Sequence, residues 1–394
     1  MKSSLQQRRA YGGPVFLSLG FRPFFLFAGL WAVLAMGIWL AVLISGQSLP
    51  SRMSGADWHQ HEMVFGYTSA VIAGFLLTAV PNWTKRPPII GLPLVALFSL
   101  WLVGRIALIF SLYLPAIAAP LIDMAFLAAL IAVIGREIIA GNNKRNLKIL
   151  IILGLLLLAN GIYHFEALNG GAARGYGIRF SVAMIMMLIM VVGGRIVPSF
   201  TRNWLSRRGE GRPPVPFGRF DLITLASAAL ALMAWIFMPE HWGVRLLAAL
   251  AALLHFMRVS RWAGLRAGKE PLVLILHIAY LFVPVGFAVL ALGDLLPGWA
   301  GASRVPHGWT AGAIGVMTLA VMTRASLGHS GRPLKSTRGI AMIYGFAVAA
   351  ALARMGAEIM DENTVLLYSS AVLWLLAFAS FTALYFPLFT RPRL

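Results

Sequence analysis

Apolar residues along this chain do not alternate with polar ones. They run in blocks of about 20, the length a helix needs to cross the hydrocarbon core of a bilayer. Twelve blocks can be read: Phe21 to Ile44, Trp58 to Val80, Gly91 to Phe110, Pro115 to Ile139, Leu147 to Leu168, Tyr176 to Val197, Phe220 to Met238, His241 to Ala263, Pro271 to Leu292, His307 to Leu327, Thr337 to Met355 and Thr364 to Phe389. A spanning segment must satisfy its own backbone hydrogen bonds, so each block predicts a helix. The expected fold is an all-α integral membrane protein, a single transmembrane domain over residues 1–394 with twelve transmembrane helices. No segment between blocks is long enough for a separate soluble domain. The longest, 198–219, is rich in Arg, Gly and Pro and predicts a connector facing anionic lipid. The first block is long and lacks a small-residue cleavage site, so it predicts a retained anchor. No clear internal repeat is visible.

The polar residues between blocks set the orientation. If the N-terminus is cytoplasmic and every block crosses once, 26 of the 33 Lys and Arg residues fall on the cytoplasmic side. Every loop then obeys the positive-inside bias, which predicts both termini in the cytoplasm, including a cytoplasmic segment 1–20. The net charge of +20 thereby reads as topology and not as a nucleic-acid surface. Composition agrees: 59% of residues are apolar, 12% are charged, and the mean hydropathy is +0.81. These values exclude an ordinary water-soluble enzyme. With no cysteine there are no disulfides, thiolate metal sites or iron–sulfur clusters. Histidine, carboxylate and methionine are left as metal ligands.

Ionisable groups in membrane helices are costly and tend to mark sites. His59, His61, His164, His241 and His307 all fall near the outer ends of their helices. His255 and His277 form a second set, about 12 Å and 9 Å from the cytoplasmic ends of consecutive helices at 1.5 Å per residue. Matching depth makes them candidates to sandwich one haem, with Tyr280 one turn from His277. Without thiolates, b-type haem is the natural cofactor for helices presenting imidazoles. His329 lies in a cytoplasmic loop, and His241 reads as an interfacial residue.

On the second block Glu62, Gly66, Ala70 and Gly74 recur every four residues, a spacing that lets a helix or a flat macrocycle come close. His59 falls on that side, whereas His61 points nearly the opposite way on a regular helix. Glu62 is the candidate proton-handling group. Asn160 shares a face with His164 and is placed to orient its ring. His307 begins a mostly small face with Ala311, Gly315, Thr318 and Met322. Arg105, inside an apolar block, is a candidate partner for haem propionates, or else snorkels to the interface. Asp123 has no obvious partner and reads as a proton relay or a helix–helix hydrogen bond. Met184, Met186, Met187 and Met190 read as core packing.

Longer motifs carry a resemblance. They are Gly20-Phe21-Arg22-Pro23-Phe24-Phe25, Trp58-His59-Gln60-His61-Glu62-Met63-Val64-Phe65-Gly66 and Gly74 through Thr84 in the first two blocks. Gly193-Gly194-Arg195-Ile196-Val197-Pro198-Ser199-Phe200-Thr201, Leu276-His277-Ile278-Ala279-Tyr280 and Thr323 through Arg332 continue them. With these the chain resembles the NnrS family. The resemblance implies a bacterial inner-membrane protein of twelve spans that contains haem and copper and serves nitric oxide metabolism or resistance alongside denitrification. His59, His61, His164, His277, His307 and His329 lie in motif-like stretches, and His255 is a weaker match.

Two functions follow as expectations. One is a haem–copper membrane protein that binds nitric oxide and detoxifies or reduces it, with the outer histidines as the reactive metal site. Its electron donor is unknown, a quinol being one candidate. The outer histidines resemble the ligands of haem–copper oxidases, although the paired-His helix of those enzymes has no counterpart. The other function is a transporter or chaperone of haem, copper or a metal–nitrosyl species. Turnover of nitric oxide by purified protein separates the two.

Overall fold

The computed structural model describes residues 11–206, 211–295, 301, 304–360 and 363–393. Residues 1–10 of the expected N-terminal segment and 207–210 of the basic loop lie outside the described residues. All regular elements described are helices. Twelve of these are long and apolar enough to cross a membrane: α1 (Phe21–Ser45), α2 (Gly55–Thr84), α3 (Leu92–Ile109), α4 (Ala118–Ala140), α5 (Lys144–Leu168), α6 (Tyr176–Leu205), α7 (Arg219–Phe237), α8 (Trp242–Ser260), α9 (Pro271–Leu292), α10 (Gly308–His329), α11 (Arg338–Ile359) and α12 (Thr364–Thr390). The protein is therefore a multi-pass membrane protein.

The helices match the apolar blocks, with shifted ends. Helix α2 starts three residues before Trp58, because the Ser54 hydroxyl accepts the Asp57 N–H at 3.1 Å as an N-cap. It runs through Pro81 to Thr84, where Lys85 at φ +58° ends it. Helix α6 likewise runs through Pro198 to Leu205.

Three helices contain wide π-helical stretches: Glu62–Thr68 in α2, Ile189–Gly193 in α6 and Gly308–Val316 in α10. Such widening disturbs the regular ladder and often sits at functional places. Side chains bond backbone carbonyls in the first two. Trp101 Nε1 donates to the Gly66 carbonyl at 2.9 Å, and Arg258 donates to the Met190 carbonyl at 3.2 Å.

Contacts divide the chain into two compact units. The first comprises Met1–Ser181, Ala325–Pro333 and Phe378–Leu394. In it α1 packs on α2, α2 on α4, α3 on α4, and α4 on α5. Buried Arg22 donates to the carbonyls of Leu388, Phe389 and Arg391 at 2.9–3.0 Å, so a cation closes the C-terminal end of α12. The second unit comprises Val182–Arg324 and Leu334–Ala377. There α7 packs on α8, α8 on α9, and the wide stretch of α10 on both α9 and α11.

Candidate metal centre

The start of α2 is tied to α5. Asp57 Oδ1 accepts the Ala172 N–H at 3.0 Å, and the Asp57 carbonyl accepts the Tyr163 hydroxyl at 2.7 Å. These bonds fix His61 and Glu62, in the next turn, against the residues of α5.

A buried polar network fills the space between α2, α3, α4 and α5. Arg105 Nη1 donates to both Glu62 oxygens at 2.8 Å, and its Nη2 donates to Asp123 Oδ1. Trp31 of α1 donates to Glu62 Oε2 at 2.8 Å. Asp123 Oδ2 accepts the Asn160 amide at 2.7 Å and faces His164 Nε2 at 3.0 Å and His61 Nε2 at 3.3 Å. His61 completes the ring: its Nδ1 lies 3.2 Å from Glu62 Oε1 and its Nε2 lies 3.2 Å from Asn160 Oδ1. All six polar residues, from His61 to His164, are at most 3% exposed.

Gly66 makes this convergence possible. A Cβ there would stand 2.5 Å from Glu62 Oε2, 2.7 Å from Trp31 Nε1 and 2.9 Å from Arg105 Nη1. At Gly74 a Cβ would meet Phe25 at 2.7 Å. The small-residue face of α2 is thus filled by Trp31, Arg105 and Phe25, and it receives side chains and not a macrocycle.

The charges of the network leave room for a cation. Arg105 is one positive charge against the two carboxylates of Glu62 and Asp123, and an uncompensated charge at this burial is expensive. The place for a further positive charge is where the imidazole nitrogens meet Asp123. His61, Asp123 and His164 each offer one ligand atom there, all within 4.8 Å of one another. Two imidazoles and a carboxylate suit a first-row transition ion. This donor set therefore fits a metal.

The NnrS family model matches residues 15–393, nearly the whole chain. The chain belongs to the NnrS family. Membership suggests a role in the nitric oxide response and links the chain to metal binding. No curated protein matches the chain.

The other histidines each have contacts of their own within their unit. His59 stacks on Trp39 with centroids 4.9 Å apart. His329 packs beside Phe21 at 5.8 Å. In the second unit His307 Nδ1 lies 3.4 Å from Glu358 Oε1, and its backbone N–H reaches Glu358 Oε2 at 3.2 Å. His241 caps α8 by accepting the Gly243 N–H at 3.1 Å.

His255 and His277 do not face each other across an open slot. Arg258 donates to Asp221 at 2.9 Å and to the Tyr280 hydroxyl at 2.7 Å, and that hydroxyl lies 3.2 Å from His255 Nδ1. The Tyr280 ring packs on Trp262 at 4.6 Å, and Trp262 faces His277 at 6.4 Å. A haem between the two imidazoles would have to replace Tyr280 and Trp262. His277 is further committed: its Nε2 lies 2.7 Å from the Thr201 hydroxyl, which also reaches the Val197 carbonyl at 2.9 Å. Its remaining Nδ1 faces Gly264, where a Cβ would come within 2.6 Å. These residues do not fit a haem sandwiched between two histidines.

Asp123 and Trp31 are members of the network that the sequence did not assign to a site. Depth gave a signal for Asp123. Arg105 lies four residues before the end of α3, and Asp123 lies five residues after the start of α4. The two therefore stand about 6 Å and 7.5 Å from the same turn of a helical hairpin.

Proposed function

We propose that this protein is a membrane metalloprotein of nitric oxide detoxification or reduction, with one reactive metal held by His61, Asp123 and His164. The observation that carries the proposal is the meeting of three buried ligand atoms, from three helices, where a single guanidinium faces the two carboxylates of Asp123 and Glu62. Copper is the ion that family membership favours. When bound, it would supply a Lewis-acid and redox centre for a small ligand.

The chain's own residues supply the rest. Asn160 donates to Asp123 and so holds that ligand in register. Glu62 accepts from Arg105 and Trp31, and in that state it has no proton to offer. We therefore assign it to positioning Arg105 and His61. Haem b is implied by the family resemblance alone. The orientation we favour puts both termini in the cytoplasm of a bacterial inner membrane, with this centre toward the outer face. The electron donor is open, with a quinol as one candidate.

Metal analysis of purified protein, combined with anaerobic nitric oxide consumption, tests the proposal. His61→Ala and His164→Ala should each lose the metal and the consumption. Wild-type metal content in both variants would remove it. A transporter or chaperone of haem, copper or a metal–nitrosyl species is the second reading, favoured by the prolines inside α2, α6 and α9. It gains if purified protein binds metal but does not turn nitric oxide over.

A further inference from the structure

A pocket opens in the first unit where α3 ends, α4 begins and α5 ends. Its cavity volume is about 10 Å³, room for one molecule of about the size of water. Met53, Leu108, Ala119 and Pro120 give it apolar walls, and His164 also lines it. The two other polar lining residues are already spent. The Ser111 hydroxyl accepts the Arg52 N–H at 2.9 Å and pairs with Ser51 at 3.2 Å. The exposed Arg52 guanidinium donates to the carbonyls of Ser111 and Leu114 at 3.1 and 3.0 Å. His164 differs: its Nε2 is turned to Asp123, while its buried Nδ1 has no hydrogen-bond partner.

We propose that this pocket is the port by which a small uncharged diatomic reaches the centre, passing the His164 ring that lines it. As a route to a metal, the port rests on the reading of His61, Asp123 and His164 as ligands. The walls decide the class of molecule. Met53, Leu108, Ala119 and Pro120 offer a cation no counter-charge and Arg52 opposes one, while the Arg52 guanidinium is already committed to the carbonyls of Ser111 and Leu114. A weakly polar diatomic such as nitric oxide loses little hydration on entry, whereas an ion would lose most of its own. His164, whose buried Nδ1 has no hydrogen-bond partner, is the one lining residue that also belongs to the polar network.

The chain has no cysteine, so a single introduced thiol reports alone. Full-length Ala119→Cys, His164→Cys and the control Phe126→Cys would be treated with methyl methanethiosulfonate and with its trimethylammonium-ethyl analogue. Position 126 is buried on α4, away from the pocket, and needs a local opening to react. Ala119→Cys should react with the neutral reagent at least about tenfold faster than Phe126→Cys, and faster than with the charged one. His164→Cys should follow the same order, and either of the two suffices if the other fails to fold. Labelling no faster than at position 126, or equally fast by the charged reagent, would overturn the port.

In metal-loaded Ala119→Cys protein, the methylthio plug should slow the spectral response to nitric oxide by about tenfold or more while metal content stays constant. An unchanged rate would overturn the route. If unplugged wild-type protein binds no metal, the proposed centre fails instead, and the labelling order alone decides the port.

Discussion

His164 Nε2 on α5 lies 3.0 Å from Asp123 Oδ2 on α4, and the same oxygen takes the Asn160 amide at 2.7 Å and faces His61 at 3.3 Å. One carboxylate oxygen thus gathers nitrogen atoms from α2 and α5. This focus makes Asp123, rather than any single histidine, the residue on which the centre depends. Asp123→Asn should abolish metal binding while the protein still inserts. Metal content after purification checks this, and full retention would contradict it.

Arg105 is the counter-charge of the centre. Arg105→Met leaves two buried carboxylates without their guanidinium and should cost about 3–5 kcal/mol. Adding Glu62→Gln should recover part of the loss, because one uncompensated charge is then removed. Thermal unfolding in detergent measures both, and equal melting of Arg105→Met and wild type would count against a continuous network.

Gly66 should tolerate no side chain. Gly66→Ala places a Cβ within 2.9 Å of Glu62, Trp31 and Arg105 and should cost about 1–3 kcal/mol by overpacking. Gly345→Ala in α11 is the contrast, since a Cβ there meets nothing within 4 Å. It should leave stability unchanged or raise it by up to about 1 kcal/mol.

The two histidines that open α2 should separate sharply. His59→Ala removes a ring stacked on Trp39 and should keep the metal. Asn160→Leu, which touches the metal only through Asp123, should weaken affinity by about 10- to 100-fold. Equilibrium metal titrations compare the two, and a larger loss in the His59 variant would reverse the assignment.

The network of the second unit should carry stability and not metal. Tyr280→Phe leaves His255 Nδ1 without a partner, takes one acceptor from Arg258, which keeps Asp221 and the Met190 carbonyl, and should cost about 1–3 kcal/mol. Its metal content should match wild type, and metal loss would return attention to His255.

The sequence by itself determined the number and place of the twelve helices. Bilayer thickness and backbone satisfaction leave an apolar block of about 20 residues little alternative to a spanning helix. It also determined that ionisable residues such as His61, His164 and Arg105 are the ones to watch, because burying them in apolar helices is costly wherever they point. It did not determine which of them meet. His59 and His61 are two residues apart, and face-sharing on a regular helix favours His59 with Glu62. The structure instead brings His61 into the ring, because its partners Asp123 and Asn160 arrive from α4 and α5 and the π-helical stretch begins at Glu62. Helical periodicity describes one helix at a time, whereas a ligand set belongs to several. Asp123 had no visible partner for that reason: Arg105, Asn160 and His164 sit 18 to 41 residues away along the chain and become its neighbours only when α3, α4 and α5 pack.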